Sequence, residues 1–299
     1  MEFRELEYYL AIIREGSISE AARALHISQP ALTRTLQQLE KELGKQLVIR
    51  SHRNIQLTVD GQLLQSRAKE ILQLAKRTQA DIISSNEVIE GDIYIVSGET
   101  KGLHFLTKAA KNLSMKHPHV YFHISSGDDN DVITKLETGM GDFGLLFPPF
   151  DSSKYDSIRV DFEDVWGILM RKSDPLAKKK AVSADDLADR PLIVQRNIYE
   201  SNLAGAILGL DPSRINMVAT YSLLYNGSLM VSDGLGYLLG LDNIINTGGE
   251  SDLCFRPLKP AVSDHIHVCW RRHEPMSRQA AALLDEMRKL IAEHSAVKE

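Results

Sequence analysis

The chain has 299 residues, 43% of them hydrophobic and 25% charged, the balance of an ordinary globular protein large enough for two domains or one big one. No run approaches the roughly 18 consecutive apolar residues of a membrane span. The start, Met1-Glu2-Phe3-Arg4-Glu5, has no apolar stretch behind it and does not read as a signal peptide, and Cys254 and Cys269 form no CxxC pair. They read as buried small hydrophobes in a reducing cytoplasm.

The net charge of −5 is unevenly spread: residues 1–90 hold 12 basic and 12 acidic side chains, and residues 91–299 hold 23 and 28. Within 23–58 six basic residues (Arg23, Arg34, Lys41, Lys45, Arg50, Arg53) face two acidic ones (Glu40, Glu42). Such a local surplus on an acidic body is the footprint of a modest nucleic-acid-binding module.

In chain order, Phe3, Leu6, Tyr9, Leu10 and Ile13 give a helical period that Gly16 stops. Ser17-Ile18-Ser19-Glu20 has the form of a capping box and opens an Ala-rich helix. After His26-Ile27, Ser28 is an N-cap and Pro30 sits in the first turn of a third helix, ended by Gly44. Its apolar stripe is Leu32, Leu36, Leu39 and Leu43, and its opposite face carries Thr33, Arg34, Gln37, Gln38 and Lys41. Two β-like runs, 47–50 and 54–57, flank the basic turn Ser51-His52-Arg53 and predict a two-stranded wing. Thr58 then caps a long helix over 59–89. Leu64, Ala68, Ile71, Ala75, Thr78 and Ile82 form a heptad-like seam on it, suited to pairing two copies or to packing on its own domain.

From Gly91 onward strand-like and helical runs alternate: strands over 93–97, 120–125 and 142–147, with helices near 101–116 and 129–140. A second series has strands at 166–171, 191–195, 215–219 and 237–240, and the chain closes on a strand at 266–270 and a helix at 277–294. This order predicts a parallel sheet with helices on both faces, in two lobes joined through Pro148-Pro149-Phe150 and Asp151–Tyr155.

The run Ala21-Ala22-Arg23-Ala24-Leu25-His26-Ile27-Ser28-Gln29-Pro30-Ala31-Leu32-Thr33-Arg34, followed by Leu39-Glu40, Leu43-Gly44, Leu47, Arg50, Arg53, Leu57-Thr58 and Gly61, resembles the LysR-type transcriptional regulators. Less specific matches extend the resemblance over the chain: His117-Pro118-His119-Val120, Gly141-Asp142-Phe143-Gly144, Asp174-Pro175-Leu176-Ala177 and Gly234-Leu235-Gly236. The family usually has Phe where Val48 sits and Ala where Asp60 sits, which bears on wing packing. The resemblance implies an α/β fold class with an N-terminal winged helix-turn-helix (1–58), a linker and dimerisation helix (59–89) and a two-lobed effector domain resembling periplasmic binding proteins. Lobe I would hold 90–161 and 266–299, and lobe II 162–265. It further implies promoter DNA, a small-molecule effector, RNA polymerase and a second copy as partners, in a homodimer or homotetramer, with no cofactor or metal.

In such a module the third helix enters the major groove N-terminus first. Gln29, Pro30, Thr33, Arg34 and Gln37 are the base-reading candidates, with Gln suited to adenine, Arg to guanine and Pro30 to a thymine methyl. Ser17, Ser19 and Ser28 at helix starts are phosphate candidates, and Arg50 and Arg53 on the wing suit the minor groove or backbone.

Ligands in open α/β sheets sit beyond the carboxyl ends of the strands. Those ends nominate Ser97, Thr100, Asp128, Asp129, Phe147, Gln195 and Tyr199. Ser97 and Thr100 suit an anion, whereas Glu99, Asp128 and Asp129 on the same rim suit a cationic or neutral effector or serve only as helix caps; the sequence leaves both open. An enzyme is disfavoured by the lack of a G-x-S-x-G elbow, P-loop or HExxH. His265 and His267, two apart on a strand, find no third metal ligand. A free solute-binding protein is disfavoured by the N-terminal module.

Overall fold

The computed structural model describes residues 1–50, 55–83 and 88–297 and divides into two compact units, Met1–Ser84 and Ser85–Glu299. In the first, α1 (Phe3–Glu15), α2 (Ile18–Ala24) and α3 (Gln29–Leu43) are followed by the antiparallel pair β1 (Val48–Arg50) and β2 (Ile55–Leu57), then by α4 (Val59–Ile83). Gly16 and Gly44 end α1 and α3 at φ of 67° and 63°, left-handed values that a side chain would strain. Leu32, Leu36 and Leu39 of α3 pack with Tyr9, Ile12, Ala21 and Ala22 in one core. The small alanines of α2 let these helices approach closely.

Ser17 caps α2 through Glu20 N, as expected, but the reciprocal arm of the predicted capping box does not form. The Glu20 carboxylate turns instead to Arg23, 2.5 Å away. At the junction of wing and α4, the Thr58 hydroxyl donates to Gln46 O at 2.7 Å and accepts from Gly61 N at 3.0 Å. The buried Tyr9 hydroxyl donates to Gly61 O at 2.8 Å. Of the predicted helix over 59–89, the described helix runs to Ile83, 84–87 lie outside the described residues, and Val88 and Ile89 are not helical.

The second unit comprises β3 (Gly91–Ser97), α5 (Leu103–Lys116), β4 (Val120–Ser126), α6 (Asp129–Glu137), β5 (Phe143–Leu146) and β6 (Tyr155–Arg171). Then follow β7 (Val182–Ser183), α7 (Ala184–Leu187), β8 (Pro191–Gln195), α8 (Arg196–Glu200), α9 (Ala204–Leu208) and β9 (Asn216–Tyr221). It ends with α10 (Leu224–Ser232), β10 (Tyr237–Leu241), β11 (Leu253–Lys259), β12 (Ser263–Arg271) and α11 (Arg278–Val297).

The strand order β4-β3-β5-β12-β6-β10-β8-β9 is mixed, not wholly parallel. β3 pairs in parallel with β4 and β5, and β8 with β9 and β10, while β12 and β6 run antiparallel to their neighbours. Four apolar clusters result among the described residues, two of them large. One gathers Ile93, Leu106, Phe143, Val268 and Met287; the other gathers Ile168, Leu192, Val194, Leu239 and Leu258.

The crossover between the lobes is not at 148–155, as the prolines suggested. That segment leads from β5 to β6, and both strands pair with β12. The passage lies inside β6: residues up to Val165 pair with β12, and from Trp166 onward with β10 and β11. The return is at the start of β12, so two strands carry the chain between the lobes. Opposite His265–His267 the register shifts, placing an irregularity close to the crossing point. Both cysteines are free and buried, and burial pushes the Cys269 thiol up to about 12, consistent with inert packing residues. No helix among the described residues is long and apolar enough to cross a membrane.

Candidate functional site: a reading helix and a cleft

On α3 the burial follows the apolar stripe, leaving Gln29, Pro30, Arg34 and Gln37 exposed and Thr33 partly so. Arg34 makes no hydrogen bond or ion pair with any described residue, whereas Arg23, on α2, is tied to Glu20. Ser28 caps α3 by accepting from Ala31 N at 3.4 Å, and Ser17 does the same for α2. Their oxygens are thus partly used, though each hydroxyl keeps its proton for a further acceptor. Ser19 is exposed in the first turn of α2. Arg50 ends β1; its side chain, and Arg53 entirely, lie outside the described residues.

In the second unit a cleft of about 650 Å³ opens between the lobes. Of the nominated residues, Thr100, Asp128, Asp129, Phe147 and Gln195 line it. Ser97 does not: it is buried at the end of β3 and its hydroxyl donates to Gly98 O at 2.6 Å. Tyr199 does not either, since α8 turns it outward, 48% exposed. Thr100 reaches the cleft with its proton already committed, donating to Asp164 Oδ2 at 2.6 Å while accepting from Gly102 N. The anion site expected of Ser97 and Thr100 is therefore not assembled.

Strand-end reasoning missed Trp166, Ile207, Leu241 and Asp264, all of which line the cleft. The Trp166 indole N–H donates to Asp264 Oδ2 at 3.3 Å, joining the two hinge strands at the cleft floor. Asp164, fully buried beside Thr100, has its carboxyl pushed up chiefly by burial, against the pull of the Thr100 hydrogen bond.

Among the described residues, Glu99 and Asp129 of lobe I each accept a hydrogen bond from lobe II. Glu99 of lobe I accepts through Oε2 from Leu224 N, the first residue of α10 in lobe II. Asp129 accepts through Oδ2 from Asn197 Nδ2 at 3.2 Å. Phe147 packs against both lobe cores.

Burial holds the Asp129 carboxyl above its ordinary 3.8, opposed by the Asn197 hydrogen bond and reinforced by Asp128. A raised carboxyl value means the folded protein binds the proton more tightly than the unfolded chain, so the charge costs stability as pH rises through that window. Asp129→Asn is expected to melt higher than the parent near pH 7, with the difference vanishing in strong acid. Equal midpoints across a pH series of thermal melts would contradict this.

A helix-turn-helix on one unit and a cleft between two α/β lobes on the other are the parts of a ligand-responsive transcription factor. Residues 3–62 match the model of the bacterial regulatory helix-turn-helix proteins of the lysR family, and residues 86–292 match the LysR substrate binding domain. The chain belongs to the LysR family: it is a DNA-binding transcriptional regulator with an effector-binding domain.

The chain is similar to the Hca operon transcriptional activator HcaR of Escherichia coli, 25% identical over 96% of this chain and 98% of that one. It is also similar to the uncharacterized regulator YvbU of Bacillus subtilis, 28% identical over 76% of this chain and 79% of that one. Among solved structures it shares the fold of CbnR (TM-score 0.70, 19% identity, 97% of this chain and 99% of that one). CbnR complexed with its target DNA matches at a TM-score of 0.69, with 18% identity over the same shares of the two chains.

Proposed function

We propose that this regulator reads its operator through Gln29, Pro30, Thr33, Arg34 and Gln37, and senses a small molecule in the cleft bounded by Thr100, Asp128, Asp129, Phe147 and Gln195. The observation that carries the sensing role is the cleft itself: about 650 Å³, walled by apolar and polar side chains, at a two-strand crossing that permits the lobes to move. Ser17, Ser19 and Ser28 hold phosphates, and Arg50 and Arg53 of the wing reach the minor groove or the backbone. The reading head spans 1–58, the linker 59–89 and the sensor 90–299.

Two copies pair through α4. Of the seam read from the sequence, Leu64 packs on the chain's own core and Ala68 is buried, whereas Ile71, Ala75, Thr78 and Ile82 line an open groove with Leu74 and Phe3. In that groove Ile82, Leu74 and Phe3 are 77%, 41% and 58% exposed, an apolar surface a second copy would cover. Dimers associate into a homotetramer in the cytoplasm, where RNA polymerase is the further partner. A ligand that fits one lobe arrangement better than the other shifts the balance between them and so the DNA contacts.

The test is a DNase I footprint on the region upstream of the gene, for the parent and for Ile207→Trp, which fills the cleft wall with an indole. The variant is expected to bind with a footprint fixed in one pattern, whatever small molecules the extract supplies. An Ile207→Trp protein whose footprint still changes as the parent's does would remove the cleft from the signalling path.

A further inference from the structure

We propose that the effector is a cation: an amine carried on an apolar body. The inference rests on the reading of the cleft as the effector site. Among the described residues, five carboxylates line that cleft, those of Glu99, Asp128, Asp129, Glu200 and Asp264, and no lysine, arginine or histidine does.

Two of the five are already used, and how they are used argues against an anion. Anionic ligands in such clefts depend on free backbone N–H groups at helix starts. At α10 the first N–H, that of Leu224, is taken by the Glu99 carboxylate. At α6 Asp128 caps the start, accepting from Asp131 N at 3.1 Å, while Asp131 reaches back to Asp128 N. The chain's own carboxylates thus occupy the first N–H of α10 and cap the start of α6, two places where a ligand carboxylate would otherwise find donors.

Asp129, Glu200 and Asp264 remain. Among the described residues, the side-chain donor to Asp129 is the neutral amide of Asn197 and that to Asp264 is the indole N–H of Trp166. Partly desolvated carboxylates with neutral donors gain most from an incoming cation, which supplies the missing charge. Phe147 and Trp166 on the same walls offer π-faces to an ammonium group, and Leu203, Ile207 and Leu241 offer an apolar bed for its body. The volume suits a molecule of ordinary metabolite size.

The test uses the full chain and matched probes: phenethylamine and hexylamine against 3-phenylpropanoate and heptanoate, each read by thermal shift. The amines are expected to raise the midpoint by about 2 °C or more at millimolar concentration, and the acids to leave it unchanged. Asp129→Asn and Asp264→Asn, both close in shape to the parent, are expected to weaken amine binding at least tenfold by calorimetry. A shift from the acids, a shift from neither class, or amine binding undiminished in both variants would overturn the proposal. An acid-driven shift that Ile207→Trp abolishes would remove the charge assignment while leaving the cleft as the effector site, so the two failures are distinguishable.

Discussion

Gly61→Ala is expected to unfold the DNA-binding unit well before the effector unit. A Cβ at this position would lie 2.1 Å from the Leu47 carbonyl oxygen and 3.0 Å from the Tyr9 hydroxyl. The carbonyl is backbone and cannot swing aside, and it is also held by Thr58 N at 3.1 Å and Thr58 Oγ1 at 3.2 Å. Relief requires α4 to lift away from the wing, breaking the Gly61 N to Thr58 bond and the Tyr9 bond to Gly61 O together. Overpacking alone costs up to about 3 kcal/mol, and each broken buried bond adds to it. On a unit of this size such a loss lowers the melting midpoint by about 12 °C or more. Calorimetry of the full chain should show an early transition with loss of DNA retention, and a later one at the parent's temperature. A single unchanged transition, or a fall of under about 2 °C, would show that the junction is slack.

Arg34→Ala is expected to weaken binding to the cognate operator by about ten- to a hundredfold while leaving non-specific binding within a few-fold. The magnitude is that of a side chain reading a guanine edge, roughly 1–3 kcal/mol. Arg34 projects from the exposed face of α3 with no described partner, so its removal costs the fold nothing and the loss reports on DNA alone. The comparison that separates base reading from charge is the salt slope of the affinity. Loss of a base contact drops the affinity for the operator and not for scrambled DNA, whereas loss of a phosphate contact drops both and flattens the slope by about one. Equal losses on the two DNAs would reassign Arg34 to the backbone.

The reading head was legible in the sequence because everything that builds it is local. Leu32, Leu36 and Leu39 mark the buried face of α3, Gly16 and Gly44 mark the ends of α1 and α3, and Ser17 and Ser28 mark the starts of α2 and α3. The Ser17–Glu20 box failed in half for an equally local reason: Arg23, one turn on, offered Glu20 a full charge instead of a backbone N–H.

The lobes were harder. The first half of β6 carries Asp156, Arg159, Asp161 and Glu163, and no strand is expected there from the sequence; it is strand because β12, about a hundred positions later, lies against it. β11 was hidden by Pro257 inside a short run. In the cleft, the rule about strand ends found Thr100, Asp128, Asp129, Phe147 and Gln195, all at the ends of strands or the starts of the helices that follow. Trp166 and Asp264 stand on the antiparallel hinge strands, which that rule does not address. Their signal was available only in part, as a lone Trp opening an apolar run and an acid alternating with Ile266.

The bonds from Glu99 to α10 and from Asp129 to Asn197 bear on how sharply the regulator can answer. Both are accepted by carboxylates, bonds worth about 1.5–3 kcal/mol each, so together they bias the lobes toward one another by about a hundredfold or more. On the proposed reading, about one per cent of molecules or fewer then sit in the other arrangement at any moment. The promoter would hold close to one output until a metabolite arrives whose preference for the other arrangement outweighs what those two bonds contribute.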